Sequence, residues 1–216
     1  MDTRGFRDKV FVQFARVGKA LASEKRLELL DLLAQAPRRV DALAAESNMS
    51  VANVSQHLQV LLQARLVETE HEGTQVIYRL ADDSVLRLWL ALRTVADARL
   101  AELDQIKREF QAEEQLVPRE EIEKLMKRGK AVLLDVRPPV EYASGHLPGS
   151  VSIPSYELEK RLGELPKDRP IVAYCRGEYC LSADESVALL RKHGFNAVRL
   201  EGGWPEWAIE GRKTER

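Results

Sequence analysis

Pro170-Ile171-Val172-Ala173-Tyr174-Cys175-Arg176-Gly177-Glu178-Tyr179-Cys180 is the stretch from which the C-terminal half can be read. Its first five residues form a short apolar run suited to a buried parallel strand. A helix follows over Ser182–Lys192 and ends near His193-Gly194. Ala131-Val132-Leu133-Leu134-Asp135-Val136 and Ala197-Val198-Arg199-Leu200 read as further strands. Strands alternating with helices predict an α/β sheet, in which ligands bind beyond the carboxyl ends of the strands. Cys175 sits at such an end. The loop amides through Arg176, Gly177, Glu178, Tyr179 and Leu181, with the start of the following helix, present partial positive charge. Such a cradle stabilises a thiolate and would hold the terminal sulfur of a persulfide. On position alone, a buried inert cysteine closing a strand remains the alternative.

The chain has 216 residues, 44% hydrophobic and 31% charged, values that argue against disorder and against a fibrous protein. No apolar run reaches the roughly 18–20 residues of a membrane helix, so no membrane partner is expected. Met1-Asp2-Thr3-Arg4-Gly5-Phe6-Arg7 lacks the apolar stretch of a signal peptide, which predicts a cytoplasmic chain. Cys175 and Cys180 are the only cysteines, too few for a disulfide framework or a four-cysteine zinc site. The net charge is −1, with 16 basic and 16 acidic residues over 1–110 and 17 and 18 over 111–216. This balance gives nucleic-acid binding no support by itself. Eight of the nine prolines lie from Pro118 onward, and the charged stretch 107–117 precedes them. We therefore expect domains over 8–106 and 118–212, with 107–117 as linker.

The first half reads as mainly helical. Val10, Phe14, Val17 and Leu21 fall on one helical face, and Leu27 to Leu33 form a second helix ended near Pro37. Val40, Leu43 and Ala44 mark a short third. Ser50 is placed as N-cap of a helix over Val51–Gln63. Its Val51, Val54, Leu58 and Leu61 are expected to face the core, leaving Ala52, Asn53, Gln56 and Gln59 outward with Ser50 and Ser55 nearby. Amide side chains on an outward face suit a major-groove reader, with adenine the favoured bidentate partner; a solvated polar face is the plain alternative. A β-hairpin follows, Leu66–Glu70 and Gln75–Leu80, joined through His71-Glu72-Gly73-Thr74. Val85, Leu88, Trp89, Leu92, Val95, Ala96, Leu100, Leu103 and Ile106 then make one long stripe, able to pack within its own domain or across a two-fold axis.

This order of elements resembles the ArsR/SmtB winged helix-turn-helix repressors. The matching words are Ala20-Leu21-Ala22-Ser23-Glu24-Lys25-Arg26-Leu27-Glu28-Leu29-Leu30, Asn53-Val54-Ser55-Gln56-His57-Leu58 and Val76-Ile77-Tyr78-Arg79-Leu80. The resemblance implies a homodimer on a palindromic double-stranded DNA operator, released when an inducer is sensed, with Ser50, Ala52, Asn53, Ser55, Gln56, Gln59, Thr74 and Gln75 toward DNA. Many such repressors sense metals through cysteines or through an Asp/His/Glu set. This half has no cysteine, only His57 and His71, so no metal site is expected.

Asp135-Val136-Arg137-Pro138-Pro139-Val140-Glu141-Tyr142-Ala143-Ser144-Gly145-His146-Leu147-Pro148-Gly149-Ser150 and Gly202-Gly203-Trp204-Pro205-Glu206-Trp207 resemble the signatures of the rhodanese fold. That implies a Cys175 persulfide, with Asp135, Arg137 and Glu141 as a structural charge cluster and His146 anchoring its turn. Thiosulfate-using rhodaneses often carry arginine at the sixth loop position; here it is Cys180. A thiol cannot pair with a sulfonate, but it can resolve a persulfide at Cys175 into a disulfide or polysulfide. The expected whole is a mainly α winged helix-turn-helix domain joined to an α/β rhodanese-like parallel sheet with flanking helices. The expected function is a DNA-binding regulator gated by a small sulfur donor or oxidant at Cys175/Cys180, with no cofactor. The alternatives are a sulfurtransferase and, third, an arsenical sensor.

Overall fold

Ser50 fixes where the central helix of the first half begins. Its hydroxyl accepts a hydrogen bond from the amide of Asn53 at 3.2 Å, capping α4 (Val51–Gln63). The computed structural model describes residues 2–110, 116–127 and 129–216. They form two compact units, Met1–Trp89 and Leu90–Arg216, divided inside a helix over Asp83–Arg99.

In the first unit α1 (Thr3–Leu21), α2 (Glu24–Gln35) and α3 (Val40–Glu46) precede α4. The α3–α4 turn is tight: Asn48 takes a φ of 51°, and the Ser47 hydroxyl donates to the Leu43 carbonyl at 2.6 Å. Val54, Leu58 and Leu61 point inward from α4 onto Leu29, Leu30, Leu33 and Leu43, all buried. Each such aliphatic side chain contributes about 1.5–3 kcal/mol relative to exposure. Val51 departs from the expected core face and is 48% exposed. It is the first helical residue, and a helical side chain leans toward the N-terminus, past the end of this helix. The hairpin consists of β2 (Val67–Glu72) and β3 (Gln75–Leu80), in register from Val67↔Leu80 to Glu72↔Gln75. A two-residue strand β1 (Arg38–Arg39), absent from the sequence reading, pairs with the other edge of β3.

The helix over Asp83–Arg99, α5, was expected to carry its stripe through Ile106. It ends at Arg99 instead, and α6 (Ala101–Phe110) starts after a break at Leu100. Of the expected linker 107–117, residues 107–110 close α6, 111–115 lie outside the described residues, and 116–117 form β4 (Leu116–Val117).

In the second unit β4 joins β5 (Val132–Asp135), β6 (Val151–Ser152), β7 (Ile171–Tyr174) and β8 (Ala197–Leu200) in a parallel sheet ordered β4-β8-β7-β5-β6. The period of two along a strand sorts its side chains. Leu133, Val172 and Tyr174 pack with Ile122 of α7 (Arg119–Lys127) and Trp207 of α10 (Trp204–Ile209). Leu134, Ile171, Ala173 and Cys175 pack with Val187 and Leu190 of α9 (Ser182–Lys192). The short helix α8 (Pro139–Ser144) follows β5. Among the described residues no helix is long and apolar enough to cross a membrane.

Candidate functional site

Cys175 leaves the carboxyl end of β7 and is 1% exposed. Its thiol donates to the Cys180 carbonyl at 3.3 Å and lies 3.8 Å from that of Gly177. Burial first, then the neighbouring Cys180 sulfur, pushes the Cys175 thiol well above the usual range. Cys180 moves the other way. The hydrogen bond from the Cys175 thiol lowers it most, burial opposes, and the amides of Arg176 and Ser182 add to the lowering, leaving it at about 6. The two thiols are thus shifted in opposite directions, Cys175 toward the neutral form and Cys180 toward the thiolate. Of the residues read as a cradle, Arg176 places its amide at the Cys180 sulfur, joined there by the amide of Ser182.

Both sulfurs line a cavity of about 130 Å³ together with Arg137, Arg176, Ser155 and Ser182. The two cations in it are already committed. Arg176 Nε donates to Glu141 Oε1 at 2.8 Å, and Glu141 is buried. Arg137 pairs with Asp135 at 2.6 Å with both side chains at zero exposure, and also donates to the Gly145 carbonyl at 2.8 Å. Of the three residues grouped as a charge cluster, Asp135 and Arg137 hold each other, and Glu141 holds the loop. His146 Nδ1–H donates to the Tyr142 carbonyl at 2.9 Å and the ring stacks on that of Tyr142, so it secures the turn after α8.

Sequence reasoning missed what fastens the loop from behind. Arg199 on β8 donates to the carbonyls of Gly177 and Glu178 at 3.0 and 2.9 Å and pairs with Asp184 of α9 at 2.7 Å. Gly177 takes a φ of 140°, open to glycine. Gly203 lets the loop approach: a Cβ there would fall on Gly177 N and 2.5 Å from the Cys175 carbonyl oxygen. Leu181 is half-buried at the start of α9.

Glu178 and Tyr179 turn away from the sulfur cavity. The Tyr179 hydroxyl donates to Asp97 of α5, and its ring lies 4.9 Å from the Arg93 guanidinium and 5.2 Å from Lys107 Nζ. Lys107 of α6 bridges Asp97 at 2.8 Å and Glu178 at 2.7 Å. Burial works against its charge, but these two carboxylates hold the Lys107 ammonium above its ordinary value. Burial and the Asp97 carboxylate push Tyr179 up to about 12.

In the first unit Ser50, Ala52, Asn53, Gln56 and Gln59 are exposed along α4. Ser55 is half-buried, with its hydroxyl returned to the Val51 carbonyl at 2.8 Å. Thr74 and Gln75 are exposed at the hairpin tip.

Residues 23–69 match the family described as bacterial regulatory protein, arsR family, and residues 118–210 match the rhodanese-like domain. The HTH-type transcriptional regulator Rv0324 of Mycobacterium tuberculosis is 44% identical over 200 residues, 92% of this chain and 88% of that protein. The chain belongs to the arsR family of bacterial regulatory proteins. In this arsR-family regulator the rhodanese-like part is also similar to a sulfurtransferase of Allochromatium vinosum, 36% identical over 81 residues, 37% of this chain and 74% of that one. Among solved structures, the homodimeric winged helix-turn-helix DNA-binding domain Mb0332 of Mycobacterium bovis is 43% identical. The match covers 46% of this chain and 90% of that one, with a TM-score of 0.43. The regulator keeps both of its thiols in the rhodanese-like unit. Among its described residues no group of three or more His, Cys, Asp or Glu is placed to hold a metal.

Proposed function

We propose that this arsR-family regulator binds operator DNA as a homodimer in the bacterial cytoplasm, and that its affinity is set by sulfur chemistry at Cys175 and Cys180. The observation that carries the reading is the thiol pair itself: two sulfurs lining one small cavity, at the end of the strand that leads into it. The α4 amides of Asn53, Gln56 and Gln59 supply base-edge contacts, with the hairpin tip at Thr74 and Gln75 beside the groove. Helix α1 leaves Phe6, Phe11, Val12 and Phe14 58–68% exposed, an apolar face that supports dimerisation. A symmetric dimer matches a palindromic operator.

The cavity also narrows the donor. Arg137 and Arg176 already serve carboxylates, so a dianion such as thiosulfate gains little there. An organic hydropersulfide, R–S–SH, suits it better. The thiolate attacks the outer sulfur, an S–S bond forms on the protein, and the donor S–S electron pair leaves as the thiolate of R–SH. The second thiol then attacks the protein-bound persulfide and expels hydrosulfide, giving a Cys175–Cys180 disulfide. In sum, two thiols and R–S–SH become the disulfide, R–SH and hydrogen sulfide.

The test uses a duplex selected by the purified full chain from a random library, at fixed salt because phosphate contacts make affinity salt-dependent. Wild type is expected to change affinity about tenfold or more, or about 1.4 kcal/mol, on treatment with glutathione hydropersulfide. Cys175→Ser and Cys180→Ser should not respond. Equal binding by all three under both conditions refutes sulfur gating. Sustained sulfur transfer to cyanide without a binding change would make the protein a sulfurtransferase.

A further inference from the structure

The break between α5 and α6 has no cause in its own sequence. Residues 83–110 contain no glycine and no proline, and Ala101-Glu102-Leu103 continues directly from Ala98-Arg99-Leu100 with strong helix formers. Sharp interruptions of a helix need an identifiable cause, and here the cause is tertiary. Lys107 and Asp97 are ten positions apart, so a continuous helix would separate them by about 15 Å along its axis. They meet at 2.8 Å only because the chain turns at Leu100. The cysteine loop grips both sides of that turn: Tyr179 holds Asp97 on α5, and Glu178 holds Lys107 on α6.

We propose that the α5–α6 elbow is a two-state element, held bent by Glu178 and Tyr179 while the thiols are reduced, and released toward one continuous helix when Cys175 and Cys180 are bridged. The inference rests on the sulfur-gated reading above and supplies its mechanical step. Glu178 and Tyr179 lie between the two cysteines, so any covalent link between the sulfurs closes over them. The bridge forms as written above, with the hydropersulfide as oxidant and hydrogen sulfide and R–SH as products. A cavity of about 370 Å³, lined by Arg93, Asp97 and Glu178 among others, lies beside the grip and gives the loop room to shift. The released segment has a structure waiting for it. Val95, Leu100 and Ile106 belong to one helical stripe, and all three are at least half exposed with the elbow bent. Because α5 starts at Asp83, it is the covalent route from the cysteine loop toward the DNA-reading unit.

Hydrogen exchange of the full chain, read on peptides covering 97–107, tests this directly. In the bent state the helical ladder is interrupted at Ala101 and Glu102, with Leu103 donating only to the Leu100 carbonyl at 3.0 Å, so the first amides of α6 exchange fast. Treatment with glutathione hydropersulfide should slow them at least tenfold, with bridge formation followed by intact mass. Asp97→Asn/Lys107→Gln should show the slow pattern already when reduced. Ala101→Pro is the opposite variant: proline suits the first position of α6 and forbids a continuous helix. It should form the bridge by mass yet keep fast exchange and unchanged operator affinity. Bridged wild type with unchanged exchange at 97–107 overturns the elbow, as does an Ala101→Pro protein whose affinity still responds. An elbow that slows while operator affinity stays constant keeps this inference and removes the gating of DNA.

Discussion

Gly203→Ala isolates the close approach that positions the cysteine loop. Gly203 has a φ of −158°, extended backbone that alanine adopts freely, so the substitution adds a methyl group and no backbone strain. The added carbon would fall on Gly177 N, 2.5 Å from the Cys175 carbonyl oxygen and 2.7 Å from Arg176 C. All three are backbone atoms, and none can rotate aside. The loop cannot retreat cheaply either, because Arg199 holds the carbonyls of Gly177 and Glu178.

Overpacking of this kind costs about 1–3 kcal/mol, and a contact with main chain on all sides belongs in the upper half. For a unit of this size, about 2 kcal/mol corresponds to a fall of about 6–10 °C in melting temperature. Thermal unfolding followed by tryptophan emission reads it, since Trp204 and Trp207 lie on α10, the helix that Gly203 precedes. Thiol alkylation at neutral pH supplies the second readout and should change in rate as the Cys175–Cys180 geometry shifts. Gly163→Ala is the control: nothing lies within 4 Å of its added carbon, and its effect should stay within about 0.5 kcal/mol. A Gly203→Ala protein that melts with the control and alkylates like wild type would refute the claim that this contact sets the loop.

Two further outcomes follow from the same geometry. Iodoacetamide reactivity should rise with pH through about 6, because above that value the Cys180 proton is lost and below it the thiolate is quenched. Cys180→Ser should remove this rise and leave a slow buried thiol, whereas Cys175→Ala, lacking the hydrogen bond that lowers Cys180 most, should move it toward about 8.5; a profile unchanged in both variants would place the charge elsewhere. Asn53→Ala should weaken binding to the selected duplex by about 1–3 kcal/mol, with an unchanged melting temperature and an unchanged salt slope. A loss that follows salt equally on all sequences would make Asn53 a backbone contact.

The sequence spoke clearly wherever the controlling interaction is local. Ser50 caps the helix three residues ahead, Val54, Leu58 and Leu61 repeat at helical spacing, and Ile171 to Tyr174 lead straight into the cysteine loop. It was silent where the partner is remote. Arg199 reads as one residue of a short strand, yet it holds carbonyls 21 and 22 positions away. Asp97 reads as a charge on a long helix and Lys107 as the start of a linker, and their partners in the loop lie 82 and 71 positions on. The elbow at Leu100 had no signal at all, since local propensity there favours helix and only tertiary contacts oppose it. The short strands β1, β4 and β6, two residues each, fall below any periodicity.

Under the proposed sulfur chemistry, Cys180 would change the output of the rhodanese-like unit as well as its donor. With arginine at that position, a single thiol could accept a sulfur, pass it on and return unchanged. With a second thiol, the proposed persulfide would have an intramolecular acceptor one loop away, and the bridge would consume both sulfurs. No further donor can react until a reductant reopens the pair. A site that stops after one event is poor for turnover and well suited to recording exposure. The record is then legible to the rest of the chain only if bridging moves something, and the residues between the two thiols are those that hold α5 and α6 at Leu100. The proposed chemistry and its proposed readout therefore share the same six residues, 175–180.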